Sequence, residues 1–303
     1  MSVGAAAVER RETASAARLE RTPFERRALT SLLLTAGAWA AAIVAAIPLV
    51  SVLYMLIVRG GSRLGLSVFT ELPPAGFEMG GGFGNAIVGT VVMVGLASLL
   101  SIPFGVLAAV YLAEIGPGSR LAQIARFATK TLTGFPSILA GVFAYAVVVL
   151  LTGTYSAPAG ALALAVLMLP TVVLTAEEAI KAVPKITRDA AYGMGCTRSQ
   201  VVWKVMLPTA MPGIITGVML AVARAAGETA PLMFTALFSN FWLFGDGRPH
   251  LMQPTASLAV LIYNFSGMPF ENQIELAWTA SLVLVLLVFV VNVVSRLVGQ
   301  RRA

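Results

Sequence analysis

The sequence predicts an all-α membrane protein with six transmembrane helices, and three observations lead to this fold class. First, 58% of the 303 residues are hydrophobic and 12% are charged, which is about half the charge of a soluble domain. Second, uncharged stretches long enough to cross a bilayer recur along the chain. Third, Lys and Arg collect between alternate stretches and not along one face, which indicates membrane topology and argues against a nucleic-acid surface.

The positions of the uncharged stretches define the six spans. Residues 28–58, 79–113 and 131–176 contain no charge. The third stretch is too long for one helix, and the Gly- and Pro-containing segment 153–160 divides it because such residues mark turns. The predicted spans cover residues 28–58, 86–113, 134–151, 159–175, 214–237 and 276–295.

The basic residues predict that both termini are cytoplasmic. Of the 21 Lys and Arg residues, only Arg59, Arg63 and Arg248 fall in loops on the side opposite the N-terminus, and Arg224 falls inside span five. Positive charge is retained preferentially on the cytoplasmic side. We expect a cytoplasmic tail over residues 1–28, a transmembrane domain over 29–298 and a cytoplasmic end over 299–303, with the chain resident in the plasma or inner membrane and surrounded by lipid.

Span five contains two charged residues, Arg224 and Glu228, which are four positions apart and therefore share a helical face. Charges at this depth are costly and usually face a partner helix or an aqueous path. Arg224 can line a conduit and offer its guanidinium to an oxyanion, or the two residues can simply neutralise each other; both interpretations stay open. The Thr229 hydroxyl can contact a ligand or, as hydroxyls in helices more often do, bond back to its own helix.

Two further residues of span five predict a kink close to this pair. Gly227 lowers helix propensity, and Pro231 lacks a backbone donor. Backbone groups freed in this way are tolerated where water or a ligand satisfies them. We therefore expect a bend beside the conduit.

The charged segment between spans four and five, about residues 177–212, resembles the EAA loop of ABC importer permeases. The matching positions are Asp189, Ala190, Ala191, Gly195, Leu207 and Pro208. Asp189 replaces the family's Glu, and Val205 replaces its Ile. The residues predict a helix over 186–194, a turn at Gly195 and a second helix from Thr197 that stops at Pro208. The resemblance implies a type I importer fold and docking of this segment on an ATPase; an amphipathic hairpin lying on lipid is the alternative.

The sequence around Arg224, residues 224–232, resembles the signature of the PstA and PstC family of phosphate permeases. Segments 85–90, 134–138 and 169–171 extend the likeness, and the overall pattern favours the PstA type. The resemblance implies a non-catalytic permease subunit that forms the phosphate pathway with a PstC-like second permease, a PstB-like ATPase dimer and an external phosphate-binding protein. ATP and Mg²⁺ would then be used by the ATPase subunit, with no cofactor bound by this chain.

The chemistry-bearing residues of the chain are few. The sequence has no Gly-Lys-Ser or Gly-Lys-Thr, so no P-loop of the usual kind is predicted. Cys196 and His250 are each the only residue of their type, which predicts neither an internal disulfide nor a metal site. A permease for another oxyanion or solute, and a secondary transporter or channel without an ATPase, remain as alternatives, and a membrane-embedded enzyme is the least favoured.

Overall fold

A computed structural model describes residues 26–245 and 248–300. Most of the expected N-terminal tail and residues 301–303 of the expected C-terminal end lie outside the described residues. The secondary structure is almost entirely helical, as the composition predicts, with one two-residue antiparallel ladder between β1 (Phe244–Gly245) and β2 (Arg248–Pro249).

Eleven helices form the described part of the chain. They are α1 (Arg26–Gly61), α2 (Ser67–Thr70), α3 (Gly84–Ile115), α4 (Arg120–Thr133), α5 (Ser137–Thr152), α6 (Ala157–Lys181), α7 (Lys185–Gly193), α8 (Arg198–Ala226), α9 (Ala230–Thr235), α10 (Leu258–Ser266) and α11 (Glu271–Gln300). Five of them are long and apolar enough to cross a membrane, namely α1, α3, α6, α8 and α11, and the bent pair α4 and α5 can supply a sixth crossing. The expected number of spans is thus confirmed when the bent pair is counted once.

The chain divides into two compact units, residues 1–55 and residues 56–303. The described part of the first unit is most of α1, whose apolar side chains, such as Leu34, Trp39 and Val50, are exposed. Such an apolar surface is stable in lipid or against another membrane helix, because neither requires a polar exterior.

The second unit is built around α6, which packs against both α3 and α8. Its core contains Met93 of α3, Leu164 and Met168 of α6 and Ile214 of α8. Small residues bring these helices together: a Cβ on Gly217 of α8 would collide with the side chain of Thr175. A second core joins α10 and α11 to the start of α3 through residues such as Phe83, Leu261 and Leu276.

Three boundaries differ from those that the sequence predicts. Span three was expected over 134–151, but α5 begins at Ser137 and is preceded by a separate helix, α4, at a bend of 108°. Pro136 is the N-cap residue of α5, where a missing backbone donor costs little, and the segment 134–136 between the two helices forms the bend.

The expected stop at Pro208 is wrong, because α8 continues from Arg198 to Ala226. A π-helical turn over Val201–Met206 precedes the proline. Such a turn changes the hydrogen-bond register of the helix and so accommodates a residue that lacks an N–H donor. Span five also ends earlier than expected: α8 ends at Ala226, and the short helix α9 begins at Ala230.

Candidate functional site

Arg224 lies in the last turn of α8, next to the break between α8 and α9. Its Nε donates to Oε1 of Glu228 at 3.4 Å. The Arg224 side chain is 47% exposed, whereas that of Glu228 is 15% exposed. Among the residues that the structure describes, Glu228 is the only hydrogen-bond partner of Arg224. A guanidinium has five N–H donors, so most of this group remains available to an anion.

Arg224 continues an exposed face of α8. Thr216, Leu220 and Arg224 are spaced by four residues, lie on one side of the helix and are exposed. The opposite side, including Val218 and Ala221, is buried in the core with α6. The exposed face is therefore a surface that another chain, lipid or an aqueous pathway can contact.

Thr229 occupies the residue before α9, and its hydroxyl donates to the backbone oxygen of Ala259 in α10 at 3.5 Å. The structure therefore shows neither the expected bond to its own helix nor an unengaged hydroxyl. The reason is geometric: Thr229 lies in the break, where the adjacent helix α10 is within reach. A role for Thr229 in the substrate pathway stays a prediction.

Gly227 and Pro231 lie on either side of the break in the helix. Gly227 has φ −93°, in the right-handed region that any residue adopts, and an added Cβ would meet only the Arg224 oxygen at 3.7 Å. Pro231 lies in the first turn of α9, and its Cα would be 2.6 Å from a Cβ on Gly141 of α5. The close approach of α9 and α5 thus requires Gly141, a residue that the sequence did not single out.

The segment that resembles the EAA loop contains α7, a turn at Gly195 and the start of α8. Ile186, Ala190 and Met194 are exposed along one side of the helix, at intervals of four residues, and Asp189 is exposed beside them. Ala191 faces the other way and is buried in the core with Val201 and Val202 of α8. One face of α7 is therefore fixed to α8 while the other is open.

The turn between α7 and α8 depends on the backbone conformation of Gly195, which has φ +81°. An added Cβ would meet nothing within 4 Å, so the requirement is conformational and not steric. Thr197 caps α8 by accepting a bond from Gln200 N, and the Gln200 side chain bonds back to Thr197 N. Leu207 packs against the core and Pro208 is exposed within α8.

Glu114, at the end of α3, joins this segment to the bundle, and sequence reasoning missed it. Its side chain is 6% exposed and accepts from Arg188 Nη1 of α7 at 3.0 and 3.2 Å. Arg198, in the first turn of α8, donates to the backbone oxygens of Glu114 and Ile115. An isolated acidic residue at the end of a predicted span was the available signal.

A second buried carboxylate, Glu177, lies in the last turn of α6. Arg126 Nε of α4 donates to Glu177 Oε1 at 2.8 Å, and Lys181 Nζ donates to the same oxygen at 2.5 Å. Arg126 also donates to the backbone oxygens of Leu112 and Pro117, at the end of α3 and just beyond it. These contacts hold α4 across the ends of two membrane-spanning helices.

The residue types that can ligate a metal do not cluster in the described part of the chain. In ranges 26–245 and 248–300, no group of three or more His, Cys, Asp or Glu side chains is placed so as to hold a metal ion. Cys196 is half-buried and has a free thiol.

The helices define an all-α, multi-pass membrane protein, and its fold is one that ABC transporter chains also have. One chain of the inward-facing MetNI methionine ABC transporter has this fold, with a TM-score of 0.56 over 72% of this chain and 93% of that chain. The sequence identity is 21%, so the likeness concerns the fold alone.

The chain belongs to the family described as binding-protein-dependent transport system inner membrane component, whose model matches residues 101–303. Three similar proteins are named phosphate transport system permease protein PstA or PstA 1. That of Yersinia pestis is 38% identical, covering 84% of each chain, and that of Haemophilus influenzae is 39% identical, covering 83% of this chain and 87% of its own. The Mycobacterium tuberculosis (strain CDC 1551 / Oshkosh) PstA 1 is 34% identical over 91% of this chain and 92% of its own.

Proposed function

We propose that this chain is a PstA-like permease subunit of an ATP-driven phosphate importer, with both termini in the cytoplasm. The single observation that carries the assignment of phosphate is the Arg224–Leu232 signature, in which Arg224 stands half-exposed at a helix break. The names of the similar proteins support the same substrate.

Arg224 is the residue that we assign to the phosphate. A guanidinium matches two oxygens of a phosphate with two parallel hydrogen bonds and remains charged at any physiological pH. Oε1 of Glu228 accepts from Nε of Arg224 at 3.4 Å, which orients the two terminal nitrogens of the guanidinium away from the carboxylate. The ion pair lies at the break between α8 and α9, where these two helices can change their relative angle. The residues at this break are Gly227, Thr229 and Pro231.

The complete pathway needs a second permease, because Arg224 lies on an exposed face of a single chain. We assign that role to a PstC-like subunit that covers the side of α8 with Thr216, Leu220 and Arg224. An external phosphate-binding protein would deliver the substrate to the loops on the side of Arg63 and Arg248. The printed family description, which names a binding-protein-dependent system, supports this arrangement.

Energy would come from a PstB-like ATPase dimer that uses ATP and Mg²⁺, with no cofactor held by this chain. The open face of α7, with Ile186, Ala190 and Met194, offers an apolar contact about two turns long. Because α7 is bonded to α3 through Glu114 and packed on α8 through Ala191, a movement of the ATPase would be passed to both spans.

The proposal is tested by purifying the chain with its associated subunits and reconstituting the complex in liposomes. We expect ATP hydrolysis stimulated by the phosphate-loaded binding protein, together with phosphate accumulation. Stimulation by sulfate or molybdate and not by phosphate would assign another oxyanion. Uptake by this chain alone, driven by a proton gradient without ATP, would replace the proposal by a secondary transporter.

Docking through the segment of α7, Gly195 and the start of α8 is tested with two glycines that have different backbone conformations. Gly195 has a positive φ, Gly193 does not, and neither has a neighbour within 4 Å of an added Cβ. We expect Gly195→Val to strain the turn and to release or uncouple the ATPase, and Gly193→Val to retain it. Gly195→Asp should have a smaller effect in the same direction, because Asp tolerates this conformation better. If all three variants retained the ATPase and took up phosphate as well as the unmodified complex does, docking through α7 would be contradicted.

A further inference from the structure

Helix α4 lies across the bundle and not along it. It precedes α5, the helix with which it forms the bent pair that can supply the sixth crossing, and the two helices meet at 108°. A helix at nearly a right angle to a membrane-crossing helix runs roughly parallel to the bilayer plane. The 14 residues of α4 therefore span about 21 Å of that plane at about 1.5 Å per residue.

The depth of α4 is fixed by its contacts with the ends of two spans. Its inner side packs through Ala122 and Ala125 against Leu112, near the end of α3, and against Val173, about two turns before the end of α6. Arg126 is bound by Glu177 and by the backbone oxygens of Leu112 and Pro117. Because spans end at the boundary of the hydrocarbon region, these contacts place α4 at one membrane surface.

The side of α4 that faces away from the bundle carries an apolar stripe. Leu121, Ile124 and Phe127 follow at intervals of three residues and are 61%, 66% and 74% exposed. Gln123 and Lys130, seven residues apart and also exposed, form a polar edge next to the stripe. One helix therefore has a buried side, an apolar side and a polar side, which is the arrangement of a helix lying in a membrane interface.

The charge of α4 is of one sign. Its sequence contains Arg120, Arg126 and Lys130 and no acidic residue. Arg126 is engaged by Glu177, whereas Arg120 and Lys130 are exposed at opposite ends of the helix. Two exposed cations beside an apolar stripe match the anionic headgroups and acyl chains of a lipid surface.

We propose that α4 is an interfacial helix whose Leu121, Ile124 and Phe127 enter the acyl-chain boundary of the bilayer while Arg120 and Lys130 bind anionic lipid headgroups. The helix is also attached to α6 by Glu177 and is joined by the bend at 134–136 to α5, which packs on α9 beyond the Arg224 break. Binding of anionic lipid would thus stabilise the position of α4 and, through it, that of α5, which packs beside the proposed phosphate pathway.

Fluorescent probes on two sides of α4 test this placement in the complete complex, reconstituted in liposomes. In a Cys196→Ala background, an environment-sensitive bimane is attached at Phe127→Cys or at the matched position Gln123→Cys on the polar edge of the same helix. We expect a spin-labelled lipid to quench the probe at position 127 and aqueous iodide to quench the probe at position 123. Ile124→Cys repeats the first measurement if the Phe127 variant assembles poorly.

The second measurement compares vesicles of phosphatidylcholine with vesicles that also contain phosphatidylglycerol. Phosphatidylglycerol should strengthen lipid quenching at position 127, and each of Arg120→Gln and Lys130→Gln should weaken that dependence by about fivefold. Iodide quenching at both positions would show a helix in water. Protection of both positions from lipid and iodide would show that a protein covers the stripe. Equal lipid quenching in the two kinds of vesicle would show that anionic headgroups do not bind α4. Each of these results overturns the proposal.

Discussion

The buried carboxylates at the ends of α3 and α6 differ sharply from the ion pair at the end of α8. Glu114 and Glu177 are 6% and 5% exposed, and basic side chains from other helices hold them at 2.8 to 3.0 Å. Arg224 is 47% exposed and meets a single carboxylate on its own segment at 3.4 Å. The first two pairs join separate helices, whereas the third joins two residues only four positions apart, at the end of one helix.

This difference separates structural from functional charge. A buried carboxylate needs its partners because an uncompensated charge in a dry site is very costly. An exposed pair contributes little to stability, about 0 to 1 kcal/mol, so stability alone does not account for the cost of placing Arg224 in a membrane span. We infer that Arg224 serves a ligand, and that Glu114 and Glu177 serve the framework.

Replacement of Arg224 should have the largest effect on transport. Two charge-assisted hydrogen bonds contribute about 3 kcal/mol or more together, which corresponds to about 100-fold in rate. Arg224→Gln is therefore expected to reduce phosphate uptake in liposomes about 100-fold or more while the complex still assembles. Arg224→Lys keeps the charge but loses the two-pronged geometry, so it should fall between the wild type and Arg224→Gln.

Assembly and uptake must be measured on the same preparation of each Arg224 variant. Normal uptake by Arg224→Gln would remove Arg224 from the mechanism and leave it as half of a surface ion pair. Loss of assembly together with uptake would move Arg224 into the structural group with Glu114 and Glu177.

Removal of the Glu114 carboxylate should have the next largest effect, and on coupling more than on substrate binding. Glu114→Gln removes the negative charge and one of the two oxygens that accept from Arg188 of α7, and so weakens the contact between α3 and α7. We expect phosphate transported per ATP hydrolysed to fall about tenfold, which is within the range of interaction energies for paired residues. Arg188→Gln should behave alike, and the double variant should be no worse than either. Additive losses would show that the two residues act separately.

Glu177→Gln should affect stability more than transport. It removes the negative charge that engages Arg126 and Lys181 at the end of α6, and a hydrogen bond to a charged group contributes about 1.5 to 3 kcal/mol. We expect a lower midpoint of thermal unfolding for the solubilised protein. Glu178→Gln is the matched control, because Glu178 is the next residue and is exposed. An equal decrease in both variants would mean that net charge, and not the buried pair, is responsible.

The sequence predicted the spans better than the contacts between them. Uncharged length defines both ends of α1 and α3 and the start of α6 to within three residues, because the cost of charge in lipid acts on each residue independently. The end of α6, at Lys181, lies six residues beyond the expected end of span four. The sequence missed α4, whose exposed apolar residues occupy only one stripe. It also ended the helix that begins at Thr197 at Pro208, whereas α8 continues, because a π-helical turn depends on packing and not on propensity. Glu114 could not be assigned for the same reason, since its partner Arg188 is 74 residues away.

The smallest expected effect belongs to Thr229, which lies next to the Arg224 pair but contacts α10. Its hydroxyl reaches the Ala259 oxygen at 3.5 Å, at the limit of a hydrogen bond and therefore weak. Thr229→Val keeps the shape and removes the donor, so we expect phosphate uptake to change by about twofold or less, as for a bond of about 0.5 kcal/mol. Thr229→Ser retains the hydroxyl and controls for the lost methyl group. A loss as large as that of Arg224→Gln, restored by Ser, would instead place the Thr229 hydroxyl on the substrate and extend the functional group of residues beyond the guanidinium.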